Sequence, residues 1–197
     1  MSFYIPIICG STRRDRQSIK VAKFVLTQLQ KRKNVETELL DLLELNFPMM
    51  EERLHRRDDP PPGLKEFGEK IGRADSFIIV TPEYNNGYPG VLKNALDWVS
   101  QPFQRSVFRN KPVSLISTSV AFTGGVRAQC QLRETLHSML AIVVPGPEII
   151  IGGVHSKIAG QKFVDDKTLG YILGSLHLLR KEILAGEFRA GLELPVQ

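Results

Sequence analysis

Short apolar runs alternate along this chain with stretches in which apolar residues recur at helical spacing. Residues 3–9 form an apolar run of strand length stopped by Gly10, with Pro6 inside it as a missing ladder donor. From Gln17, the residues Val21, Phe24, Val25 and Leu29 fall on one helical face to about Lys33, with Ser18 or Asp15 expected to cap the start. Residues 35–40 predict a second strand nearer the sheet edge. Leu64, Phe67, Ile71 and Ala74 predict a short helix leading into a strand at 76–80. Leu92, Ala95, Leu96 and Val99 predict a helix broken by Pro102, and 112–117 a buried-type strand. Ala128, Leu132, Leu136, Met139 and Leu140 mark the next helix. A last strand at 143–144 and 148–151 is interrupted by Pro145 and Pro147, and a helix from Thr168 to Leu184 closes the chain.

Strand and helix thus alternate about five times, the pattern of a parallel sheet covered by helices on both faces. With right-handed crossovers, the expected α/β architecture is a doubly wound sheet of five strands in the order 2-1-3-4-5. Residues 41–63 interrupt the alternation with a charged run and the triplet Pro60-Pro61-Pro62, which no helix interior accommodates. Such an excursion is expected to be a functional rim, an oligomer contact or a mobile loop. Residues 102–109 are the other candidate contact surface.

Length and composition narrow the class. A chain of 197 residues with 42% hydrophobic and 24% charged content fits one globular domain, expected over 1–197. There is no internal repeat, no signal-peptide pattern and no apolar segment of membrane-span length, so cytoplasmic residence is expected. Cys9 and Cys130 have neither a disulfide framework's number nor metal-ligand spacing, and no metal site is expected. The net charge of +5 is concentrated near the start, in Arg13, Arg14, Arg16, Lys20 and Lys23. Such a run suits nucleic acid, a membrane surface or a small anionic ligand, and for Lys20 and Lys23 equally a solvated helix face; the lack of interleaved aromatic residues argues against single-stranded nucleic acid.

Two loops carry the candidate chemistry. The first, residues 10–18, joins strand to helix, so its backbone N–H groups and the helix N-terminus can face an anion. It has neither the Gly-Lys-Ser/Thr of a Walker loop nor three glycines. It offers the hydroxyls of Ser11, Thr12 and Ser18, the amide of Gln17 and the guanidinium groups of Arg13 and Arg16, a set suited to a terminal phosphomonoester. A capping serine and solvated arginines would produce the same residues. The second loop, Thr81-Pro82-Glu83-Tyr84-Asn85-Asn86-Gly87-Tyr88-Pro89-Gly90, leaves the third strand at the edge where open α/β sheets place ligands. Tyr84 offers a flat aromatic face, Asn85 and Asn86 offer amides, and Gly87, Pro89 and Gly90 set a shape that lets backbone approach a planar ring.

Three motifs then carry a resemblance: Gly10-Ser11-Thr12-Arg13 with Arg16; the stretch from Pro82 through Leu92-Lys93-Asn94-Ala95-Leu96-Asp97-Trp98; and Gly124-Gly125 with Arg127-Ala128. Together they resemble the NADPH-dependent FMN reductase family, the flavodoxin-like flavin, quinone, azo-dye and chromate reductases. The resemblance covers roughly residues 3–184 in the same motif order. It implies a flavodoxin-like fold, non-covalent FMN, NADPH or NADH as electron donor, and homodimers or homotetramers. Ser11, Arg13, Arg16, Gln17 and Ser18 would hold the FMN phosphate. Pro82, Glu83, Tyr84, Asn85, Asn86 and Gly87 would frame the ribityl chain and ring, with Ser117, Thr118, Ser119 and Gly124 on the other side.

With a flavin in place the cofactor carries the chemistry, and no catalytic residue of the protein is required. Hydride would pass from nicotinamide to the flavin and on to a quinone, free flavin, azo compound or metal oxyanion. His55, His137, His155 and His177 are scattered and expected to be structural or at the surface. Glu83 is expected to bridge loop or subunit contacts rather than to act as an acid, and Arg127 to attract the NADPH phosphates. The alternatives are an FMN-binding electron carrier or redox-sensing module, and a receiver-type signalling domain. The latter needs clustered acids after the first strand, where this chain has Ser-Thr-Arg-Arg.

Overall fold

The computed structural model describes residues 2–51, 63–100, 106–160 and 162–190, the last four of these in backbone only. The expected stop at Pro102, the triple proline and His55 lie outside the described residues.

Pro6 divides the first run into β1 (Phe3–Tyr4) and β2 (Ile7–Cys9). The chain stays extended across it, because Ile5 and Ile7 donate to Glu36 and Glu38 and the Pro6 carbonyl accepts from Ile78. α1 (Gln17–Gln30) follows, then β3 (Val35–Glu36) and β4 (Leu39–Asp41). β1 pairs with β3 and β2 with β4, both in parallel. α2 (Leu42–Leu45) and α3 (Leu64–Arg73) lead to β5 (Phe77–Pro82), and α4 (Gly90–Ser100) to β6 (Pro112–Thr118). α5 (Val126–Ser138), β7 (Ile142–Val143) and β8 (Ile149–Ile151) come next, with α6 (Val154–Lys157), β9 (Ile158–Ala159), β10 (Lys162–Phe163) and α7 (Asp166–Ala190) completing the chain.

The main sheet runs β4-β2-β5-β6-β7, with β8 also on β6, and all of its pairings are parallel. With β7 and β8 taken as one broken strand, this is the order 2-1-3-4-5 expected from the alternation. Helices cover both faces because successive strand residues point to opposite sides. Ile8, Phe77 and Ile79 pack with Leu64, Phe67 and Ile71 of α3, Leu92 and Leu96 of α4, and Leu132 of α5. Ile7, Cys9, Ile78 and Val80 pack with Val21 and Val25 of α1 and Ile172 and Leu179 of α7. Both faces being buried, these strands are continuously apolar rather than alternating.

Several boundaries differ from the periodic reading. The start of the 41–63 excursion holds α2, because the Asp41 carboxylate accepts from the Leu43 N–H and nucleates a turn. The β9–β10 hairpin was not anticipated, its strands being two residues each. The cap of α1 is neither Ser18 nor Asp15: Arg16 occupies the N-cap position and no side chain caps the helix. A turn closed by Arg16 N–H on the Arg13 carbonyl places Ser18 inside the first helical turn instead, where its Oγ lies 3.8 Å from Cys9 Sγ.

Candidate flavin-binding cleft

The carboxyl ends of β2, β5 and β6 open onto a cleft of about 340 Å³. It lies where the chain leaves the sheet in opposite directions on either side of β2 and β5, the position at which doubly wound sheets bind ligands. Ser11, Arg13, Asp15, Arg16 and Gln17 form one end, Pro82, Glu83 and Tyr84 one side, and Thr118, Ser119, Val120 and Val154 the other.

The first end is built on the N-terminus of α1, where the N-cap residue Arg16 makes no side-chain capping bond. Ser11 is fully buried, and its Oγ lies 2.7 Å from the Tyr84 hydroxyl across the cleft. Arg13 is exposed, whereas Arg16 is buried against Asp41 with 9% of its surface accessible. The Arg16 Nε and the Gln17 Oε1 are buried without a hydrogen-bond partner among the described residues. An uncapped helix start, a buried hydroxyl and an incompletely paired guanidinium make a donor-rich end that fits a phosphomonoester.

The side formed by residues 82–87 is a tight turn. Tyr84 and Gly87 exchange two backbone hydrogen bonds of 2.8 and 3.0 Å, with Asn85 at φ 49° and Asn86 at φ 66° between them. Two successive residues at positive φ are the signature of a type I′ turn, which asparagine tolerates better than most residues. The turn is tied to α5 at three points. Glu83 Oε2 accepts from the N–H groups of Arg127 (3.0 Å) and Ala128 (3.2 Å), so this carboxylate caps α5 from a distant loop. Arg127 Nη1 donates to Asn86 Oδ1 at 2.6 Å, and Gln131 Nε2 to the Asn86 carbonyl at 3.2 Å. Glu83 bridges loops, as expected.

The opposite side depends on a close backbone crossing. Gly124 has φ 64°, and a Cβ there would fall 2.4 Å from Ile150 Cγ2 and 2.8 Å from the Gly152 nitrogen. Thr118, Ser119 and Val120 lie beside the cleft, and Phe122 is left outward, 99% exposed.

Of the residues singled out from the sequence, Ser11, Arg13, Arg16, Gln17, Pro82, Glu83, Tyr84, Thr118 and Ser119 meet in the cleft. Ser18, Asn85, Asn86, Gly87, Ser117 and Gly124 are not among its lining residues. Ser18 faces Cys9, the two asparagines form the turn, and Ser117 is buried with its hydroxyl unpartnered. Asp15, Val120 and Val154 line the cleft without having been anticipated, and Asp41 stands behind Arg16. The Asn94 and Trp98 of the long motif serve packing: Asn94 Nδ2 and Trp98 Nε1 both donate to the Pro48 carbonyl, and Asn94 Oδ1 accepts from Met50 N–H. Among the described residues no group of acids, histidines and cysteines is arranged to hold a metal, and no helix is long and apolar enough to cross a membrane.

The sheet order and the cleft at its switch point define a flavodoxin-like α/β protein. More narrowly, residues 4–156 match the family model for NADPH-dependent FMN reductase, and the chain belongs to that family. It is 34% identical over 176 residues to a 2-hydroxy-1,4-benzoquinone reductase of a Burkholderia species, covering 87% of this chain and 91% of that one. It is 30% identical over 171 residues to a quinone reductase of Pseudomonas putida, covering 86% and 89%. Among solved structures it resembles FerB of Paracoccus denitrificans, a flavoenzyme NAD(P)H:(acceptor) oxidoreductase. That match has a TM-score of 0.80 and 27% identity over 93% of this chain and 98% of that one.

Proposed function

We propose that this chain is an FMN-dependent NAD(P)H oxidoreductase acting on a quinone, a free flavin, an azo compound or a metal oxyanion. The observation that carries the reading is the cleft itself, in which the donor-rich end of residues 11–17 meets Pro82, Glu83 and Tyr84 on one side and Thr118 and Ser119 on the other, at the carboxyl edge of the sheet. Ser11, Arg13, Arg16, Gln17 and the start of α1 would hold the phosphate, while Pro82, Glu83, Tyr84, Thr118 and Ser119 would frame the remainder. When bound there, the flavin supplies hydride acceptance from nicotinamide and two-electron delivery to the acceptor. The protein's own part is to orient, to exclude water and to keep the ring edge near fixed backbone dipoles. The family match and the quinone-reductase relatives support this assignment.

The two cores share one sheet, which supports residues 1–197 as one domain. A homodimer or homotetramer in the cytoplasm completes the proposal, with Arg127 drawing in the nicotinamide phosphates. Purified protein reconstituted with FMN is expected to absorb near ~450 nm and to bleach anaerobically on addition of NADPH or NADH. A colourless protein that refuses added FMN would overturn the reading. A coloured protein that neither nicotinamide reduces would make it an electron carrier.

A further inference from the structure

Arg13 and Arg16 look equivalent in the sequence, but the fold separates them. Arg13 is exposed at the mouth of the cleft, while Arg16 is locked in its wall. The lock is Asp41, the last residue of β4, which lies opposite Cys9 in the register of β2 and therefore at the foot of the phosphate loop. Both Asp41 carboxylate oxygens are occupied: Oδ1 accepts from Leu43 N–H at 3.1 Å and Oδ2 pairs with Arg16 Nη2. Both side chains are 8% exposed.

A guanidinium has five N–H donors. At Arg16, Nη2 goes to Asp41, Nη1 makes a long 3.4 Å bond to the Arg13 carbonyl, and Nε has no partner among the described residues. Burying a cation with unmet donors is costly unless something completes them. We propose that Asp41 is the positioning residue for phosphate recognition, fixing the Arg16 guanidinium in the cleft wall so that it is set for the phosphomonoester of the flavin. This rests on the FMN reading above. A fork already ordered by the fold loses little entropy on binding, whereas the exposed Arg13 must be ordered by the ligand. Discrimination between FMN and riboflavin therefore runs through Arg16, and so through Asp41.

The electrostatics make the test decisive in sign. If Asp41 acted only through its charge, a carboxylate near a phosphate would repel it, and neutralising Asp41 would strengthen FMN binding. If Asp41 acts by holding Arg16, neutralising it weakens FMN binding. Asp41→Asn suits the purpose because asparagine is as good an N-cap as aspartate, so α2 keeps its cap while the charged pair is lost. FMN and riboflavin are titrated against flavin-free wild type, D41N and R16K, following flavin fluorescence. D41N is expected to lose about tenfold of the preference for FMN over riboflavin, the scale of a charge-assisted hydrogen bond, with riboflavin affinity unchanged within about twofold.

R16K, which keeps a cation for Asp41 but has no planar fork, is expected to lose a similar factor. It also decides the matter should D41N not fold. A FMN-to-riboflavin ratio in D41N that equals or exceeds the wild-type ratio overturns the proposal, as does an unchanged ratio in R16K. Wild-type protein that binds both flavins equally removes the phosphate reading itself, and the inference with it. Protein that binds neither flavin removes the cofactor assignment.

Discussion

The Ser11 Oγ lies 2.7 Å from the hydroxyl of Tyr84, 73 positions further along the chain. This single contact joins the loop after β2 to the loop after β5 across the cleft that both build. Ser11 is wholly buried, so its hydroxyl depends on that partner and on a longer bond from Arg13 N–H at 3.4 Å. Tyr84 therefore does more than present a ring face: it couples the loop after β2 to the loop after β5.

Tyr84→Phe keeps the ring and removes the bridge. It is expected to lower stability by about 1 kcal/mol, a shift of about 2–4 °C in melting temperature for a chain of this size. FMN affinity should fall in parallel, and Ser11→Ala on top of Tyr84→Phe should cost little more. A double-mutant cycle on melting temperature and on FMN fluorescence quenching checks this. Additive effects of the two changes would show that the contact carries no coupling.

Glu83 caps α5 from another loop, so its removal is felt in the helix as well as in the cleft. Glu83→Ala leaves the N–H groups of Arg127 and Ala128 without their acceptor and is expected to destabilise by about 1–2 kcal/mol. Glu83→Gln keeps an acceptor but no charge, and should cost less than half as much. Denaturant midpoints rank the three proteins, and equal midpoints for the alanine and glutamine variants would refute the capping role.

Sheet order was legible in the sequence because strands buried on both faces read as apolar runs between helical stretches, as in residues 77–80, even where small serines interrupt them, as in 112–117. The cleft was legible because its loops break those runs abruptly with residues chosen for backbone shape, such as Asn85, Asn86 and Gly124. What stayed hidden depends on pairing between distant segments. Nothing local marks Asp41 as the partner of Arg16 or Glu83 as the cap of α5, since each relation spans a crossover. The capping of α1 was misjudged for a related reason. Ser18 has a good capping side chain, but the turn at Arg13–Arg16 sets the helix start, and the serine is carried into the core beside Cys9. Boundary residues follow tertiary contacts that propensity does not encode.

At the opposite end of the sheet, Lys111 places its Nζ against the carbonyls of Ile71 (2.7 Å) and Gly72 at the end of α3. Burial pushes its pKa down to about 8, with nearby Asp75 acting in the other direction. The folded protein therefore holds fewer protons on this amine than the unfolded chain between about pH 8 and the ordinary lysine value near 10.4. The stability that Lys111 withholds at neutral pH is recovered as pH rises through that window. Compared with Lys111→Met, wild-type protein should gain relative stability from pH 8 to pH 10. Urea denaturation of both proteins at those two pH values measures it, and a constant difference would contradict the shift.

Phe122 stands wholly exposed in the loop that carries Thr118 and Ser119 into the cleft, next to the exposed Val120. A phenylalanine 99% exposed among the described residues contributes little to the core, so Phe122→Ala should leave the melting temperature of the chain near the wild-type value, within about 0.5 kcal/mol of stability. FMN affinity should also be unchanged, because neither the phosphate end nor the 82–87 turn touches this side chain. If the loop governs which acceptor approaches the ring, the variant's kcat/KM for an aromatic quinone should fall several-fold while that for a small metal oxyanion holds. A planar acceptor stacking on an aromatic side chain loses about 0.5–1.5 kcal/mol with it, and an inorganic oxyanion does not. Steady-state kinetics with one acceptor of each kind measures the split. A parallel loss for both acceptors would place Phe122 in the assembly of the protein rather than in its choice of acceptor.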